Sequence, residues 1–240
     1  MNWWDGEFVA FDLETTGTDL EEARIVTVCV STVHSDGSIA NTLELTVNPG
    51  IEIPVEASNV HGITTEIAAT VGLAPEDALR GVTNILGDAL DMQTPLVAFN
   101  ARFDFTILDR ECRRHHMPPL QEMTAGVIAP VLDPFVLDKA VDKYRKGKRT
   151  LAAMCDLYGV ELVNAHNATA DAIAAAQVAR AIIRRYRGLQ MPASALHQAQ
   201  ELWARQQATS LERYFRQQGG NPTLVLDKDW PMVPAGEVLL

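Results

Sequence analysis

Two carboxylates stand at the end of the first apolar segment of the sequence. Residues 7–13 are almost continuously apolar and predict a buried strand. Asp12 and Glu14 lie at the end of this strand. Side chains two residues apart on a strand point to the same side of the sheet. A buried carboxylate is unfavourable without a partner, and a divalent cation is one such partner. The pair predicts either a metal site or an exposed strand end that caps a turn.

Two further acids stand where predicted helices begin. Asp104 follows a short apolar strand in the first turn of a helix that Asn100 is placed to cap. Asp171 opens an alanine-rich helix, five residues after His166. The helix dipole favours a carboxylate at either place without any ligand, and a histidine before a helix can be an ordinary loop residue. The combination is the stronger signal, since three separate segments each present an acid and one adds a histidine.

Apolar periodicity and turn residues predict three strands followed by alternating helices and strands. The predicted strands are 7–13, 24–34, 39–47, 95–99 and 127–132, with a hairpin turn at 35–38. The predicted helices are 76–90, 101–115, 151–158, 168–187 and 194–218, the last capped by Ser194. This order predicts an α/β fold with a mixed sheet flanked by helices.

The chain has 240 residues, which suits one substantial domain with a small appendage. We predict a domain over 1–190, followed over 191–240 by a C-terminal helix and an extended tail. The tail contains Leu224, Val225, Leu226 and Trp230, and a disordered tail would usually be less apolar. It is therefore expected to pack on the domain.

Composition excludes few classes of protein. The 47% hydrophobic residues argue against disordered and fibrous chains, and the net charge of −11 argues against a broadly basic nucleic-acid surface. Cys29, Cys112 and Cys155 are odd in number and have apolar neighbours, which indicates reduced thiols rather than disulfides. With neither a leader-like N-terminus nor a membrane-length apolar run, we expect a cytoplasmic protein.

Three segments of the sequence resemble, in order and spacing, the exonuclease motifs of the DEDD superfamily. They are Phe-Asp-Leu-Glu-Thr-Thr-Gly at 11–17, Asn-Ala-Arg-Phe-Asp at 100–104 and His-Asn-Ala-Thr-Ala-Asp at 166–171. The histidine five residues before the last aspartate is typical of the branch that includes the proofreading (epsilon) subunit of bacterial DNA polymerase III. Val-His-Gly-Ile-Thr at 60–64 resembles a further segment of that subunit, and the likeness covers residues 6–188.

The resemblance implies a ribonuclease-H-like fold with a five-stranded mixed sheet. It implies that Asp12, Glu14 and Asp171 hold one metal, that Asp104 and Asp12 hold a second, and that His166 is the general base. It also suggests substrate-binding residues: Thr15, Val60, His61, Asn100, Phe103 and His166. One departure is Phe99, where the family usually has a histidine, and the final 50 residues have no assigned counterpart.

The implied reaction is hydrolysis of terminal phosphodiesters of DNA in the 3′-to-5′ direction, in proofreading or repair, with release of nucleoside 5′-monophosphates. Carboxylate oxygens suit two Mg²⁺ ions, for which Mn²⁺ can substitute, whereas zinc would favour more His or Cys. The implied partners are nucleic acid with a free 3′ end and, in one interpretation, a DNA polymerase. Two alternatives stay open: an RNA-trimming 3′-to-5′ exoribonuclease, and a non-catalytic nucleic-acid-binding or polymerase-scaffolding protein.

A basic segment precedes the third motif. Residues 143–149 carry five positive charges in seven positions. The segment is either a solvated loop or a contact for the phosphate backbone of a nucleic acid.

Overall fold

The computed structural model describes residues 2–124, 126–162, 167–218 and 221–236. Its centre is a five-stranded sheet with the strand order β3-β2-β1-β4-β5. The strands are β1 (Phe8–Thr15), β2 (Ile25–Val33), β3 (Ile39–Thr46), β4 (Leu96–Val97) and β5 (Val131–Leu132). Strands β1, β2 and β3 are antiparallel neighbours, whereas β4 is parallel to both β1 and β5. The predicted five-stranded mixed sheet is confirmed.

Strands β4 and β5 are shorter than the sequence predicts. Each contains two residues and directly follows a proline, Pro95 or Pro130. Proline has no N–H to donate to a neighbouring strand, so it is confined to strand ends and edges. The carboxyl ends of β1, β4 and β5 nonetheless lie at one edge of the sheet because the three strands are parallel.

Helices cover both faces of the sheet. They are α1 (Val55–His61), α2 (Thr65–Val71), α3 (Pro75–Asp91), α4 (Ala101–Arg114), α5 (Leu120–Met123), α6 (Pro134–Val141), α7 (Leu151–Tyr158), α8 (Ala168–Arg185) and α9 (Ala193–Gln217). The longer helices agree with the predicted ones to within a few residues, as helix ends usually do. The short α1, α2, α5 and α6 were not predicted. Within the described residues, no helix combines the length and the apolar character needed to cross a lipid bilayer.

Two apolar cores lie on opposite faces of the sheet. Val9, Phe11 and Leu13 of β1 pack with α3 and α4. Phe8 and Ala10 of the same strand pack with α6, α7 and α8. This alternation follows the period-two geometry of a strand. Cys29, Cys112 and Cys155 are free and buried in these cores, as predicted for reduced thiols.

The C-terminal residues lie against the sheet and α4. Helix α9 begins after Pro192 without a side-chain cap, so the prediction that Ser194 caps it is wrong. Beyond α9, Trp230 is 8% exposed and belongs to the same core as α4. Val233 N–H donates to Thr106 Oγ1 of α4 at 2.9 Å. The tail is thus fastened to the core, while a domain boundary at residue 190 stays a prediction.

Candidate active site

Strand β1 presents the first two acids on one face of the sheet. Asp12 and Glu14 follow Phe8 and Ala10 in the alternation, so they lie on the face that α8 covers. The pairing of β1 with β2 shifts register between Glu14 and Thr15. Both carboxylates are half-buried at this irregular strand end. The strand therefore delivers two acids to a single position beside the start of α8.

Helix α8 brings Asp171 to the same position. Asn167 caps the helix by accepting a hydrogen bond from Ala170 N–H at 3.1 Å, and Asp171 lies in the first turn. The buried side of α8 consists largely of alanines, whose small side chains let the helix approach the sheet closely. One ligand oxygen from each of Asp12, Glu14 and Asp171 lies within 4.8 Å of the other two.

Asp104 approaches the strand end from the opposite face. It lies in the first turn of α4, is 3% exposed, and its Oδ1 accepts a hydrogen bond from Leu13 N–H at 3.1 Å. Leu13 stands between Asp12 and Glu14, so this bond fixes Asp104 beside both acids. All four predicted acids therefore meet at the end of β1.

Asp133 caps the helix that carries Asp104. Asn100 has the left-handed backbone conformation with φ 60°, which asparagine tolerates, but its side chain makes no cap hydrogen bond. The prediction that Asn100 caps α4 is therefore wrong. The buried carboxylate of Asp133 accepts instead from the N–H groups of Asn100 and Ala101, both at 3.0 Å. Asp133-Pro134 is a start signal for α6, which Asp133 also caps by accepting from Phe135 N–H at 2.9 Å, but sequence reasoning missed the contact of Asp133 with α4.

Glu44 of β3 holds the start of α8. Its carboxylate accepts hydrogen bonds from Thr169 Oγ1 at 2.6 Å and from Asn167 Nδ2 at 3.4 Å. The register places Glu44 opposite Cys29, which in turn lies opposite Asp12. Sequence reasoning missed this residue because nothing in an exposed strand position indicates a contact more than a hundred residues away.

The four acids repel one another at this strand end. Burial, followed by the charges of Asp104 and Asp171, raises the pKa of Asp12 well above its usual range. Burial and the charge of Asp171 raise the pKa of Glu14 to about 7. Burial also raises the pKa of Asp104, although the hydrogen bond from Leu13 opposes it. Within the described residues, Asp12, Glu14 and Asp104 form no ion pair with a basic side chain.

A divalent cation fits this arrangement. Carboxylate oxygens are the ligands that hard cations such as Mg²⁺ and Mn²⁺ prefer, and a cation would relieve the repulsion that raises these pKa values.

Residues 9–179 match the model of the RNase_T exonuclease family. The chain belongs to this exonuclease family. The resemblance of its three motifs to DEDD exonucleases is thereby confirmed.

The chain is similar in sequence to a DNA polymerase and in fold to known exonucleases. The PolC-type DNA polymerase III of Staphylococcus epidermidis is 31% identical over 179 residues, which are 74% of this chain and 11% of that protein. Escherichia coli exonuclease I in complex with a dA16 oligonucleotide superimposes with a TM-score of 0.65 at 18% identity, over 77% of this chain and 42% of that one. Exonuclease I of Methylocaldum szegediense gives a TM-score of 0.62 at 20% identity, over 87% of this chain and 46% of the other.

These likenesses confirm the predicted ribonuclease-H-like exonuclease fold. The chain spans only about a tenth of the PolC-type polymerases and less than half of the exonuclease I chains. The shared part is the exonuclease domain, and the family match ends before α9.

One predicted substrate-binding residue, His61, lies near another, Thr15. Burial lowers the pKa of His61, whereas the Thr15 backbone raises it, so the imidazole lies beside the end of β1. His61 Nδ1 accepts from Ile63 N–H at 3.2 Å, which leaves the proton on Nε2. The protonated Nε2 is buried beside the Thr15 backbone.

The other predicted substrate residues differ in exposure. Val60 is 51% exposed on α1, and Asn100 is exposed at the start of α4. Phe103 is partly buried against the core that includes α4. His166 lies outside the described residues, as do the three residues before it.

The metal-free exonuclease domain should gain more thermal stability from Mn²⁺ near pH 8 than near pH 5. The pKa of Glu14 is raised from 4.5 to about 7, so without a cation its contribution to stability is present below pH 4.5 and is lost as the pH rises through about 7. A cation binds the ionised carboxylates and competes with protons. At a concentration roughly 100-fold above Kd, it should stabilise the fold by about 2.7 kcal/mol, which raises Tm by roughly 5–10 °C.

Scanning fluorimetry across this pH range, with and without Mn²⁺, measures the effect. Glu14→Gln is the matched variant, because it removes the titrating group and should flatten the pH dependence. An equal gain in Tm at both pH values in the unaltered protein would contradict the assignment of a cation to this site.

Proposed function

We propose that this chain is a metal-dependent 3′-to-5′ exonuclease that hydrolyses the terminal phosphodiester of DNA and releases nucleoside 5′-monophosphates. The observation that carries the proposal is the meeting of four acids from three separate segments at the end of β1. Two kinds of similar protein support DNA as the substrate. One is a DNA polymerase, and the other is exonuclease I, which is known in complexes with DNA oligonucleotides. Exonuclease I also has a zinc-bound form, which supports use of a divalent metal in this fold.

In the proposed mechanism, the four acids are the ligands of two cations. Asp12, Glu14 and Asp171 would hold one ion, and Asp104 together with Asp12 would hold a second. Two Mg²⁺ ions bound there would supply an activated water and stabilise the negative charge on the leaving 3′-oxygen. Because Mg²⁺ keeps several waters and substrate oxygens in its coordination shell, four carboxylates suffice for the pair.

The neighbouring residues bind the end of the strand and move a proton. His166, one residue before the cap of α8, accepts the proton of the attacking water. His61 donates its Nε2 proton to an oxygen of the terminal nucleotide, beside Thr15 and Val60. Asn100 and Phe103 border the same end of β1 from the start of α4. The role of His166 rests on the family motif alone, and the roles of the other residues rest on the family motifs together with their positions around β1.

The proposed partners are a single-stranded or frayed DNA end and, in the context that the PolC-type relatives suggest, a DNA polymerase. The test uses matched DNA and RNA oligonucleotides labelled at the 5′ end, with products resolved nucleotide by nucleotide. Shortening in single steps from the 3′ end, blocked by a 3′-phosphate, is the expected result. Cleavage of a circular single strand at a comparable rate would show an endonuclease, and faster shortening of RNA would show an exoribonuclease.

Activity should be absent in EDTA and should return with Mg²⁺ or Mn²⁺. The proposed ligands are all carboxylate oxygens, and none of the remaining groups can neutralise the charge that develops on the phosphate. Zn²⁺ should support hydrolysis poorly, since the four proposed ligands are carboxylates rather than the nitrogen and sulfur ligands that zinc prefers. Full activity in the chelator would refute the metal-dependent mechanism.

A further inference from the structure

A cleft of about 450 Å³ lies between α6 and α9. Lys139 and Lys143 line it on one side, and Trp203, Ser210 and Tyr214 line it on the other. The α9 wall lies beyond residues 9–179, the part of the chain that matches the exonuclease family. The cleft is therefore a feature that the family motifs do not explain.

The charge of the cleft differs from that of the whole chain. Its lining contains two lysines, two aromatic rings and several amide or hydroxyl groups, but no carboxylate. The chain as a whole has a net charge of −11. Burial, together with the charge of Arg149, lowers the pKa of Lys139, so an anion in the cleft would favour its charged form. A polyanion with flat apolar groups is complementary to this lining.

The arginines and the lysines of the basic segment 143–149 differ in their contacts. The guanidinium groups of Arg145 and Arg149 bind the buried carboxylate of Asp138, so both arginines have a structural role. Lys143, Lys146 and Lys148 are exposed and form no ion pair within the described residues. Lys143 lines the cleft, and Lys146 and Lys148 add positive charge to the segment that follows it.

Aromatic contacts connect the cleft with the end of β4. Phe99 follows β4 at the sheet edge where β1 carries its acids, and its ring lies 6.0 Å from that of Phe135. Lys139 Nζ lies 4.7 Å from the centre of the Phe135 ring. Phe99, Phe135 and Lys139 thus form a row of neighbouring groups between the carboxyl end of β4 and the cleft. Phe99 is also the position where the family usually has a histidine.

We propose that the cleft binds the single-stranded DNA on the 5′ side of the scissile phosphodiester. Bases stack on Tyr214 and Trp203, while Lys139 and Lys143 contact the phosphates between them. The proposal rests on the proposed exonuclease function, since it assumes that the 3′ end lies among the four acids. An acidic apolar peptide has related chemistry, but the row of groups leading to the end of β4, the strand beside β1, favours the DNA strand.

The test compares oligothymidylates from the dinucleotide to the dodecanucleotide. The double variant Lys139→Gln and Lys143→Gln should raise KM for the dodecanucleotide roughly 10-fold and leave hydrolysis of the dinucleotide unchanged. Each lost phosphate contact lowers the salt dependence of log KM by about 0.7, so the double variant should lose about 1.4. The matched control removes two exposed cations elsewhere, by Arg80→Gln and Arg187→Gln, and should keep both values.

A second variant tests stacking without changing charge. Tyr214 is 55% exposed, so Tyr214→Ser should leave the fold intact. It should weaken binding of the dodecanucleotide roughly 5-fold or more, with an unchanged salt dependence. Fluorescence anisotropy of the labelled dodecanucleotide in EDTA gives this affinity without hydrolysis.

The outcomes separate the two proposals. A protein that hydrolyses neither oligonucleotide refutes the exonuclease function, and the anisotropy measurement still tests the cleft. Unchanged affinity and salt dependence in both cleft variants would overturn the cleft proposal even if hydrolysis is normal. Loss of binding to an acidic apolar peptide, with unchanged binding to the dodecanucleotide, would identify a peptide site and overturn it as well.

Discussion

Asp12→Asn is expected to slow hydrolysis of a DNA oligonucleotide at least about 10³-fold in kcat. Asp12 is the acid that the proposed mechanism assigns to both cations, and metal ions stabilise the transition state of such reactions by several kcal/mol. An amide keeps the size of the side chain but removes the charge. The loss should therefore come from weaker cation binding and from poorer stabilisation of the leaving oxygen.

The loss of activity in this variant should not be accompanied by a loss of stability. Burial and the charges of Asp104, Asp171 and Glu14 raise the pKa of Asp12, so the metal-free site is strained by repulsion at neutral pH. In EDTA the variant should melt at the same temperature as the unaltered protein or higher. Asp88→Asn, on the exposed side of α3, is the matched control and should change neither property.

Three measurements decide this prediction: single-turnover rates, calorimetric titration with Mn²⁺ and melting in EDTA. Undiminished kcat at saturating Mn²⁺ would show that Asp12 is dispensable for the chemistry. A large fall in Tm would show instead that its carboxylate stabilises the fold. Neither result fits a residue whose main role is to hold cations.

His166→Ala should slow hydrolysis by roughly 10²–10⁴-fold, the usual contribution of a positioned general base. Unlike Asp12, His166 is assigned no cation, so Mn²⁺ affinity and Tm should be nearly unchanged. The acidic limb of the pH dependence of kcat should become shallower but persist, because Asp12 and Glu14, whose pKa values are raised, must still lose protons to bind cations. Single-turnover rates across a pH range, alongside metal titrations, measure all three properties.

The control for His166 is a histidine outside the site. His34 pairs with Glu7 across an exposed 3.3 Å contact, and such pairs contribute little to stability. His34→Ala should hydrolyse DNA at the normal rate. If His166→Ala lost Mn²⁺ affinity but kept its rate at saturating metal, the histidine would be a ligand rather than a base.

The sequence predicted the parts of the site that depend on local spacing. Alternation along β1 placed Asp12 and Glu14 on one face, and the cap of α8 placed Asp171 in its first turn. Both patterns involve residues only a few positions apart, so they can be recognised without knowledge of the fold. Only the joint order of the motifs indicated that these acids and Asp104 would meet.

The supporting contacts were not predictable in the same way. Asp133 caps α4 from 32 residues away, and Glu44 holds α8 from 125 residues away. Asn100 was expected to cap α4 because it precedes the helix and asparagine is a common capping residue. Its backbone is in the left-handed conformation, and its side chain makes no cap hydrogen bond. Such contacts depend on the tertiary arrangement, which overrides local preference.

The tail has a consequence for the order in which the molecule assembles during synthesis. Trp230 Nε1–H donates to Asp133 across 97 residues, and Val233 N–H donates to Thr106 across 127 residues. Contacts this far apart in sequence form slowly, and a growing chain folds its earlier residues first. We therefore expect a nascent chain to form the sheet and its helices before Trp230 leaves the ribosome. The start of α4, which carries Asp104, would then acquire its final surroundings only at the last stage of folding.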